Sequence, residues 1–278
     1  MNNLNIHTGN CLDILPAMEA GSVNCCVTSP TYFGLRDYGN DEQIGLEETP
    51  EAFVESLVNV FREVKRVLAD DGTLWLNIGD SYAHNVKEHN TKSEKQCSNR
   101  GTKNMDTPVR NFDGSGIKTK DLIGIPWRVA LALQADGWYL RQDIIWSKPN
   151  PMPESVTDRC TKAHEYIFLL SKKPQYFYDA DALKEETYEG TRNKRSVWEV
   201  NTKPYSGAHF ATFPPDLIKP CIMAGCPAGG TVLDPFGGSG TTGMVALELG
   251  RGAELIELNP DYVEIIEHRT NVTQGFEF

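Results

Sequence analysis

The last third of the chain alternates apolar runs and turns in a way that few folds accommodate. Apolar runs at 231–233 and 253–258 predict strands, and each leads into a segment with helical spacing, at 241–249 and 260–269. Strands separated by helices pair in parallel, because a crossover returns the chain to the same edge of the sheet. The sequence therefore predicts an α/β fold with a mostly parallel sheet that helices cover on both faces.

Patterns upstream extend this alternation, and 278 residues provide enough core for one large domain spanning 1–278. The predicted strands are 4–7, 22–28, 73–78, 138–146 and 166–170, and the predicted helices are 11–18, 51–68 (ended by Gly72), 125–136 and 214–223. Two segments interrupt the pattern. Residues 85–120 have almost no large apolar side chains, and residues 171–212 read as irregular.

A glycine-rich loop follows the strand at 231–233, with the sequence Asp234-Pro235-Phe236-Gly237-Gly238-Ser239-Gly240-Thr241-Thr242. It has neither the dinucleotide spacing nor the Gly-Lys-Ser/Thr of a phosphate loop. Asp234 is expected to face a cationic group, and Glu257, which ends the next strand, to hold ribose hydroxyls. A nucleoside with a cationic amino-acid tail and no phosphate fits both carboxylates, which indicates S-adenosylmethionine. The alternative is an ordinary turn with Glu257 as a surface acid.

A second loop, Thr28-Ser29-Pro30-Thr31-Tyr32-Phe33, follows the strand at 22–28 and suits a flat base. The exocyclic amino nitrogen of a base is a poor nucleophile, because its lone pair is delocalised into the ring. Acceptors on its two N–H groups, which we assign to Ser29 Oγ and the Pro30 carbonyl, favour a pyramidal nitrogen. We expect Tyr32 to stack on the base and Phe33 to form the pocket wall, with the nucleotide flipped out of the duplex. The alternative is a proline–aromatic turn at a strand end.

Together the two loops resemble those of the DNA amino methyltransferases, which methylate N4 of cytosine or N6 of adenine. The resemblance covers most of the chain, and it extends through Leu76-Asn77-Ile78-Gly79-Asp80-Ser81-Tyr82, Gly137-Trp138-Tyr139-Leu140-Arg141, Lys148-Pro149 and Phe213-Pro214. The catalytic loop precedes the cofactor loop, as in the family's permuted beta group. This implies a doubly wound sheet of the class I methyltransferase type, mostly parallel with an antiparallel strand.

The resemblance also implies roles for single positions. Ser29, Pro30 and Tyr32 are catalytic, while Thr31 and Phe33 touch the substrate base. The methionine pocket is shaped by Asp234, Phe236, Gly238, Gly240 and Thr241, with Glu257 on the ribose. Phe213 and Pro214 close over the cofactor. Asn10 falls where the family often has an acid near the adenine; unlike Asp, it donates as well as accepts.

Two positions bear on the choice of base and on activity. Serine at position 29, rather than Asp or Asn, favours cytosine N4 by family resemblance, with adenine N6 as the alternative. The family usually has a second proline where this chain has Thr31. Proline fixes φ and removes an N–H, so Thr31 restores a donor and relaxes the loop. A catalytically impaired DNA-binding module is therefore a third interpretation, supported by Thr31 alone.

Charge is distributed unevenly for a chain of net charge −11, since residues 85–120 carry eight basic and four acidic side chains. We expect this basic insertion to contact phosphates of double-stranded DNA, with Lys103 and Arg110 among the contacts. A solvated loop is the alternative. In the segment 171–212, Arg192, Arg195 and Trp198 are candidates for contacts to bases and backbone.

The remaining features limit compartment and partners. Cys25 and Cys26 lie in an apolar run, which predicts buried free thiols in a reducing compartment, and no metal site is predicted. Pro220-Cys221 is interpreted as core packing rather than as a nucleophile. No stretch of eighteen apolar residues occurs and no secretory signal opens the chain, so we expect a cytoplasmic protein that does not span a membrane. A restriction endonuclease partner and a homodimer are left open.

Overall fold

The computed structural model describes residues 3–34, 40, 42–83, 116–203 and 213–274. Its strands are β1 (Leu4–Thr8), β2 (Val23–Thr28), β3 (Leu68–Ile78), β4 (Tyr139–Ser147), β5 (His164–Ser171), β6 (Glu185–Thr187), β7 (Gly190–Arg192), β8 (Val197–Glu199), β9 (Thr231–Asp234) and β10 (Gly252–Glu257). Its α-helices are α1 (Cys11–Ile14), α2 (Pro50–Val67), α3 (Ile125–Ala135), α4 (Pro215–Gly225), α5 (Thr241–Glu248) and α6 (Pro260–Gln274).

Eight of these strands form one sheet in the order β1-β10-β9-β2-β3-β5-β4-β8. All neighbours are parallel except β5, which runs antiparallel to β3 and to β4. No helix is described between β4 and β5, and without a crossover the chain returns in the opposite direction. The predicted mostly parallel sheet with an antiparallel strand is confirmed.

Helices cover the two faces of the sheet and bury separate apolar clusters. On one face α2 and α3 pack together, and α2 contributes Phe53, Leu57, Phe61 and Val64, each fully buried. On the other face α4 packs on β2 and β3, and α5 packs on β9 and β10. The helical spacing predicted for α2 is therefore confirmed, and the fold is doubly wound.

Two predictions about local structure are wrong. Gly72 does not end α2: that helix ends at Val67, and Gly72 lies inside β3. A Cβ on Gly72 would lie 3.0 Å from the Ala69 carbonyl oxygen, so the residue serves a tight backbone approach at a register shift between β2 and β3. Residues 171–203 are not irregular throughout, since β6 and β7 form a hairpin and β8 extends the main sheet beside β4.

The predicted environment of the thiols is confirmed where the structure describes them. Cys25 and Cys26 are buried free thiols in β2. Cys221 is buried within α4, where its thiol contacts the carbonyl of Leu217, as expected of core packing. Among the described residues, no helix combines the length and apolar character needed to cross a bilayer.

Candidate active site

A cavity of about 480 Å³ lies at the carboxyl ends of four adjacent strands, β1, β10, β9 and β2. Open α/β sheets bind small molecules at this edge, and the volume is typical of a cofactor site. The segments after these strands supply most of the lining: 9–11, 29–32, 234–239 with Thr241, and 257–262, completed by Phe213, Asn40 and 42–44. The two predicted loops therefore face one cavity, although about two hundred residues separate them in sequence.

The loop after β2 contributes Ser29, Pro30, Thr31 and Tyr32 to this lining. Phe33 departs from the prediction that it forms the pocket wall. Its ring is 2% exposed, with its centroid 5.4 Å from that of Phe53 in α2. Phe33 therefore anchors the loop in the core instead of facing a base.

The Thr31 side chain ties the same loop to the segment that follows it. Its hydroxyl donates to the carbonyl oxygen of Ile44. Gly45 lies against it closely enough that an added Cβ would be 3.2 Å from Thr31 Oγ1. A hydrogen bond thus restrains the loop where the family usually has a proline ring.

Asp234 ends β9 and is 1% exposed at the base of the glycine-rich loop. Its Oδ1 accepts from Thr28 Oγ1 at 2.6 Å and from the Phe236 amide at 3.1 Å, and its Oδ2 accepts from Thr242 Oγ1 at 2.6 Å. Burial raises the pKa of this carboxyl to about 7, against the opposing effect of those hydrogen bonds. Asp234 lines the cavity, and its hydrogen bonds also hold the two predicted loops together.

Glu257 ends β10 and holds the glycine-rich loop from the neighbouring strand. Its Oε2 accepts from the Gly238 amide at 2.6 Å and its Oε1 from the Asn259 amide at 2.8 Å. Burial raises the pKa of this carboxyl above its usual range. A carboxylate has about four acceptor positions, so both oxygens keep capacity for ribose hydroxyls.

Gly238 and Gly240 have different places in the glycine-rich loop, although both have a positive φ. Gly238 lines the cavity and has φ 51°, whereas Gly240 caps α5 with φ 76° and does not line it. A Cβ on Gly240 would lie 2.9 Å from Cγ2 of Ile266, so its direct role is the close approach of α5 to α6. Arg269 of α6 donates to the Ser239 carbonyl and hydroxyl, which fixes the outer part of the loop.

Some of the remaining predicted cofactor residues line the cavity, and others cap the helices beside it. Phe213 and Thr241 line the cavity, whereas Pro214 is buried as the N-cap of α4 and does not. Asn10 lines the cavity, but its side-chain oxygen accepts from the Leu12 amide at 3.0 Å and caps α1. The amide oxygen has two lone pairs, so it keeps one acceptor position beside the amide donor.

The charge of the lining tests the fit to the expected methyl donor. Four carboxylates line the cavity, those of Glu42, Asp234, Glu257 and Asp261, and the lining contributed by described residues includes no Lys or Arg. S-adenosylmethionine carries a sulfonium, an ammonium and one carboxylate but no phosphate, so its net charge is positive, and this lining suits it and disfavours nucleotides with phosphates. The residues present fit the predicted cofactor.

Several functional contacts escaped sequence reasoning. The hydroxyls of Thr28 and Thr242 hold Asp234, a role that their positions in the two loops do not indicate. Glu165 was not singled out, although it accepts from the Tyr32 hydroxyl at 2.7 Å. No local pattern marks the Thr28–Asp234 and Tyr32–Glu165 contacts, because they join residues 206 and 133 positions apart.

The residues predicted to contact DNA lie in different environments. Lys103 and Arg110 lie outside the described residues. Arg192 and Arg195 lie on the surface around the β6–β7 hairpin and both approach the carboxylate of Glu185, at 3.0 and 3.7 Å. Trp198, which was expected to contact bases, is 5% exposed in β8, because it packs into the core cluster beside α4.

Comparison with known proteins agrees with this site. Residues 23–268 match the model of a family described as DNA methylase. Type II methyltransferase M.Cfr9I of Citrobacter freundii is 53% identical over 97% of this chain and 88% of its own length. M.SmaI of Serratia marcescens is 49% identical over 95% of this chain and 89% of its own length.

Solved structures share the fold. The PvuII DNA methyltransferase, which is cytosine-N4-specific, superposes with a TM-score of 0.71 at 21% identity, covering 97% of this chain and 86% of that one. A DNA modification methylase from Thermus thermophilus in complex with S-adenosyl-L-methionine gives a TM-score of 0.66 at 22% identity, covering 99% and 97%. At these identities the likeness concerns the fold.

Proposed function

This chain belongs to the S-adenosylmethionine-dependent DNA amino methyltransferases, and we propose that it methylates N4 of a flipped cytosine. It is a Type II DNA methyltransferase, its substrate is DNA and its cofactor is S-adenosylmethionine. We propose cytosine as the target base and assign roles to single residues of the site.

One observation carries the proposed chemistry: Ser29 and Pro30 line the same cavity as Asp234 and the glycine-rich loop. A base held by the first loop is therefore adjacent to a cofactor held by the second. When bound, S-adenosylmethionine supplies an electrophilic methyl group on a cationic sulfur. Proximity and orientation of the two reactants then account for much of the rate.

Ser29 Oγ and the Pro30 carbonyl are proposed to accept the two N–H groups of the target amino nitrogen. This would direct the nitrogen lone pair at the methyl group that bound S-adenosylmethionine supplies, with S-adenosylhomocysteine as the leaving group and one amino proton released to solvent. Tyr32 is proposed to stack on the base, and Thr31 to hold the loop through Ile44. Asp234 and Glu257 would then keep the cofactor's amino-acid tail and ribose in place.

Two features favour cytosine over adenine. Serine at position 29 is, by family resemblance, associated with cytosine N4, and the PvuII enzyme that shares this fold is cytosine-N4-specific. Adenine N6 is the second candidate, because the family includes enzymes for both amino groups. Nucleoside digestion of methylated DNA followed by mass spectrometry separates them. N4-methylcytosine is the expected product, and N6-methyladenine as the sole product would contradict the proposal of cytosine as the target base.

A catalytically impaired DNA-binding module would need Thr31 to disable the loop. The Thr31–Ile44 hydrogen bond argues for a restrained loop and hence for activity. Transfer of tritium from labelled cofactor to mixed DNA tests this directly. Wild-type counts well above those of a Ser29→Ala variant and of a protein-free blank are expected, and wild-type counts no higher than the blank would favour the impaired module.

We further propose that the DNA is double-stranded and that residues 85–120, including Lys103 and Arg110, contact its phosphates. Arg192 and Arg195 are proposed as peripheral phosphate contacts only, since Glu185 already approaches both. A single domain over 1–278 and a cytoplasmic location complete the proposal. Steep loss of DNA binding with added salt is the expected signature of phosphate contacts.

A further inference from the structure

Beside the cavity, the antiparallel strand brings a carboxylate to the edge where the parallel strands end. β5 begins at His164, so Glu165 lies next to the carboxyl ends of β3 and β4. Lys148 directly follows β4 and Gly79 directly follows β3. Because β5 runs antiparallel to β3 and β4, its first residues lie at the edge where those two strands end.

Tyr32, Lys148 and Asn77 all donate to the carboxylate of Glu165, the Asn77 amide to Oε2 at 3.4 Å. The Tyr32 hydroxyl donates to Glu165 Oε2 at 2.7 Å, and Lys148 Nζ donates to Glu165 Oε1. The side chains of Lys148 and Glu165 are only 16% and 14% exposed. The Lys148 ammonium also lies 4.2 Å from the ring centroid of Trp146. The contacts form a chain from β4 through β5 to the loop after β2.

Gly79 provides the space in which this contact forms. A Cβ on Gly79 would lie 2.8 Å from Cε2 of Tyr32 and 3.3 Å from Cδ of Glu165. The edge of the phenol ring therefore packs on bare backbone, and its hydroxyl end is held by the carboxylate. A ring fixed at both places has little freedom to rotate.

The ion pair also decides the direction of the hydrogen bond. Glu165 Oε1 accepts from the Lys148 ammonium, so this carboxylate is one half of an ion pair. An ionised carboxylate only accepts, so the Tyr32 hydroxyl must donate to it. Neither Glu165 nor Lys148 lines the cavity, whereas Tyr32 lines it and is in direct contact with Glu165.

We propose that Glu165, held by Lys148, is a positioning residue that presets the ring of Tyr32 for the incoming base. The inference rests on the proposed stacking role of Tyr32. A preset ring means that the flipped base meets a fixed surface and arrives with its amino group aimed at the methyl. Misplacement by about 1 Å costs roughly 100-fold in rate, so loss of this contact is expected to reduce turnover.

Two double variants isolate the contact. Glu165→Gln with Lys148→Met removes both charges and keeps an oxygen that accepts from Tyr32. Glu165→Leu with Lys148→Met removes both charges and the acceptor. Since neither leaves an unpaired buried charge, both are expected to fold. The measurements are single-turnover transfer of tritiated methyl to unmethylated bacterial genomic DNA, cofactor Kd by calorimetry, and Tm.

The Leu variant is expected to transfer methyl about tenfold or more slowly than the Gln variant, with the two cofactor Kd values within about twofold of each other. In a Tyr32→Phe background the difference should vanish, because no hydroxyl remains. Gly79→Ala, which displaces the ring and leaves both charges, should slow transfer to a similar extent.

Equal rates for the two double variants with Tyr32 intact would overturn the inference, as would a difference that persists in the Tyr32→Phe background. If the Leu variant does not fold, Gly79→Ala decides alone: an unchanged rate counts against the inference and a slower one supports it. A product of N6-methyladenine would contradict the proposed cytosine target and leave this comparison intact, because adenine would stack on the same ring.

Discussion

Replacing Asp234 by Asn tests whether burial raises the pKa of the carboxyl at the base of the glycine-rich loop. Asp234 is 1% exposed, and burial raises its pKa to about 7 from an ordinary value of 3.8. Asn keeps the shape and one acceptor for Thr28 or Thr242, and those hydroxyls can rotate to accept from its amide. The substitution thus removes the titration with a small geometric change.

The sign of the effect follows from the direction of the pKa shift. Because the folded pKa lies above the unfolded one, the folded state binds the proton more tightly. The resulting stability is fully present below about pH 4 and is lost as the pH rises through about 7. A shift of roughly 3 units corresponds to about 4 kcal/mol. The free energy of unfolding of the wild type, minus that of Asp234→Asn, should fall by about this amount between pH 4 and pH 8.

Urea unfolding at several pH values in this range measures the difference. Asp181→Asn is the matched control, because Asp181 is exposed and the Lys184 ammonium lowers the pKa of its carboxyl. Its difference curve should not fall with rising pH. A wild type minus Asp234→Asn difference that is flat from pH 4 to pH 8 would refute the reasoning.

The same titration should appear in cofactor binding. A cation beside Asp234 lowers the pKa of its carboxyl, so binding releases a proton and the cofactor Kd decreases as the pH rises toward about 7. Asp234→Asn should reduce this pH dependence. Glu257 lines the same cavity with a raised pKa, and a residual dependence is expected from it.

Three further changes test the site and the fold. Ser29→Ala should lower the single-turnover rate by roughly 100-fold with little effect on cofactor Kd, because one of two acceptors is lost; an unchanged rate would remove Ser29 from the chemistry. Thr31→Val removes the hydroxyl that donates to the Ile44 carbonyl, and it should lower the free energy of unfolding in urea by about 1 kcal/mol. An unchanged free energy of unfolding would mean that this hydrogen bond makes no net contribution to stability. Gly225→Ala places a Cβ 2.3 Å from Trp75 Nε1 and should cost about 1–3 kcal/mol, visible as a lower Tm; a tolerated change would mean that α4 shifts freely.

Local sequence information was sufficient for the architecture and for the two loops. Apolar periodicity reports which face of a segment is buried, so the alternation of strands and helices could be read directly. The glycine-rich loop and the Ser29-Pro30 loop each follow a strand, and the carboxyl ends of parallel strands meet at one edge. Their meeting at one cavity was therefore predictable from chain order and fold class.

Side-chain partnerships could not be read in this way. Phe33 and Tyr32 are adjacent aromatics on one loop, yet Phe33 packs on Phe53 in the core and Tyr32 lines the cavity. Apolar character indicates that a side chain is buried, but whether it is buried against a helix or faces a ligand depends on the direction in which the backbone leaves the strand.

The Tyr32–Glu165–Lys148 chain depends even more fully on the tertiary structure. Its members are separated by 133 and 17 residues. They meet because β5 runs against its neighbours and because Gly79 has no side chain to keep the ring away. Sequence patterns describe each segment's own preference, whereas a contact of this kind exists only once strand order and direction have placed the segments side by side.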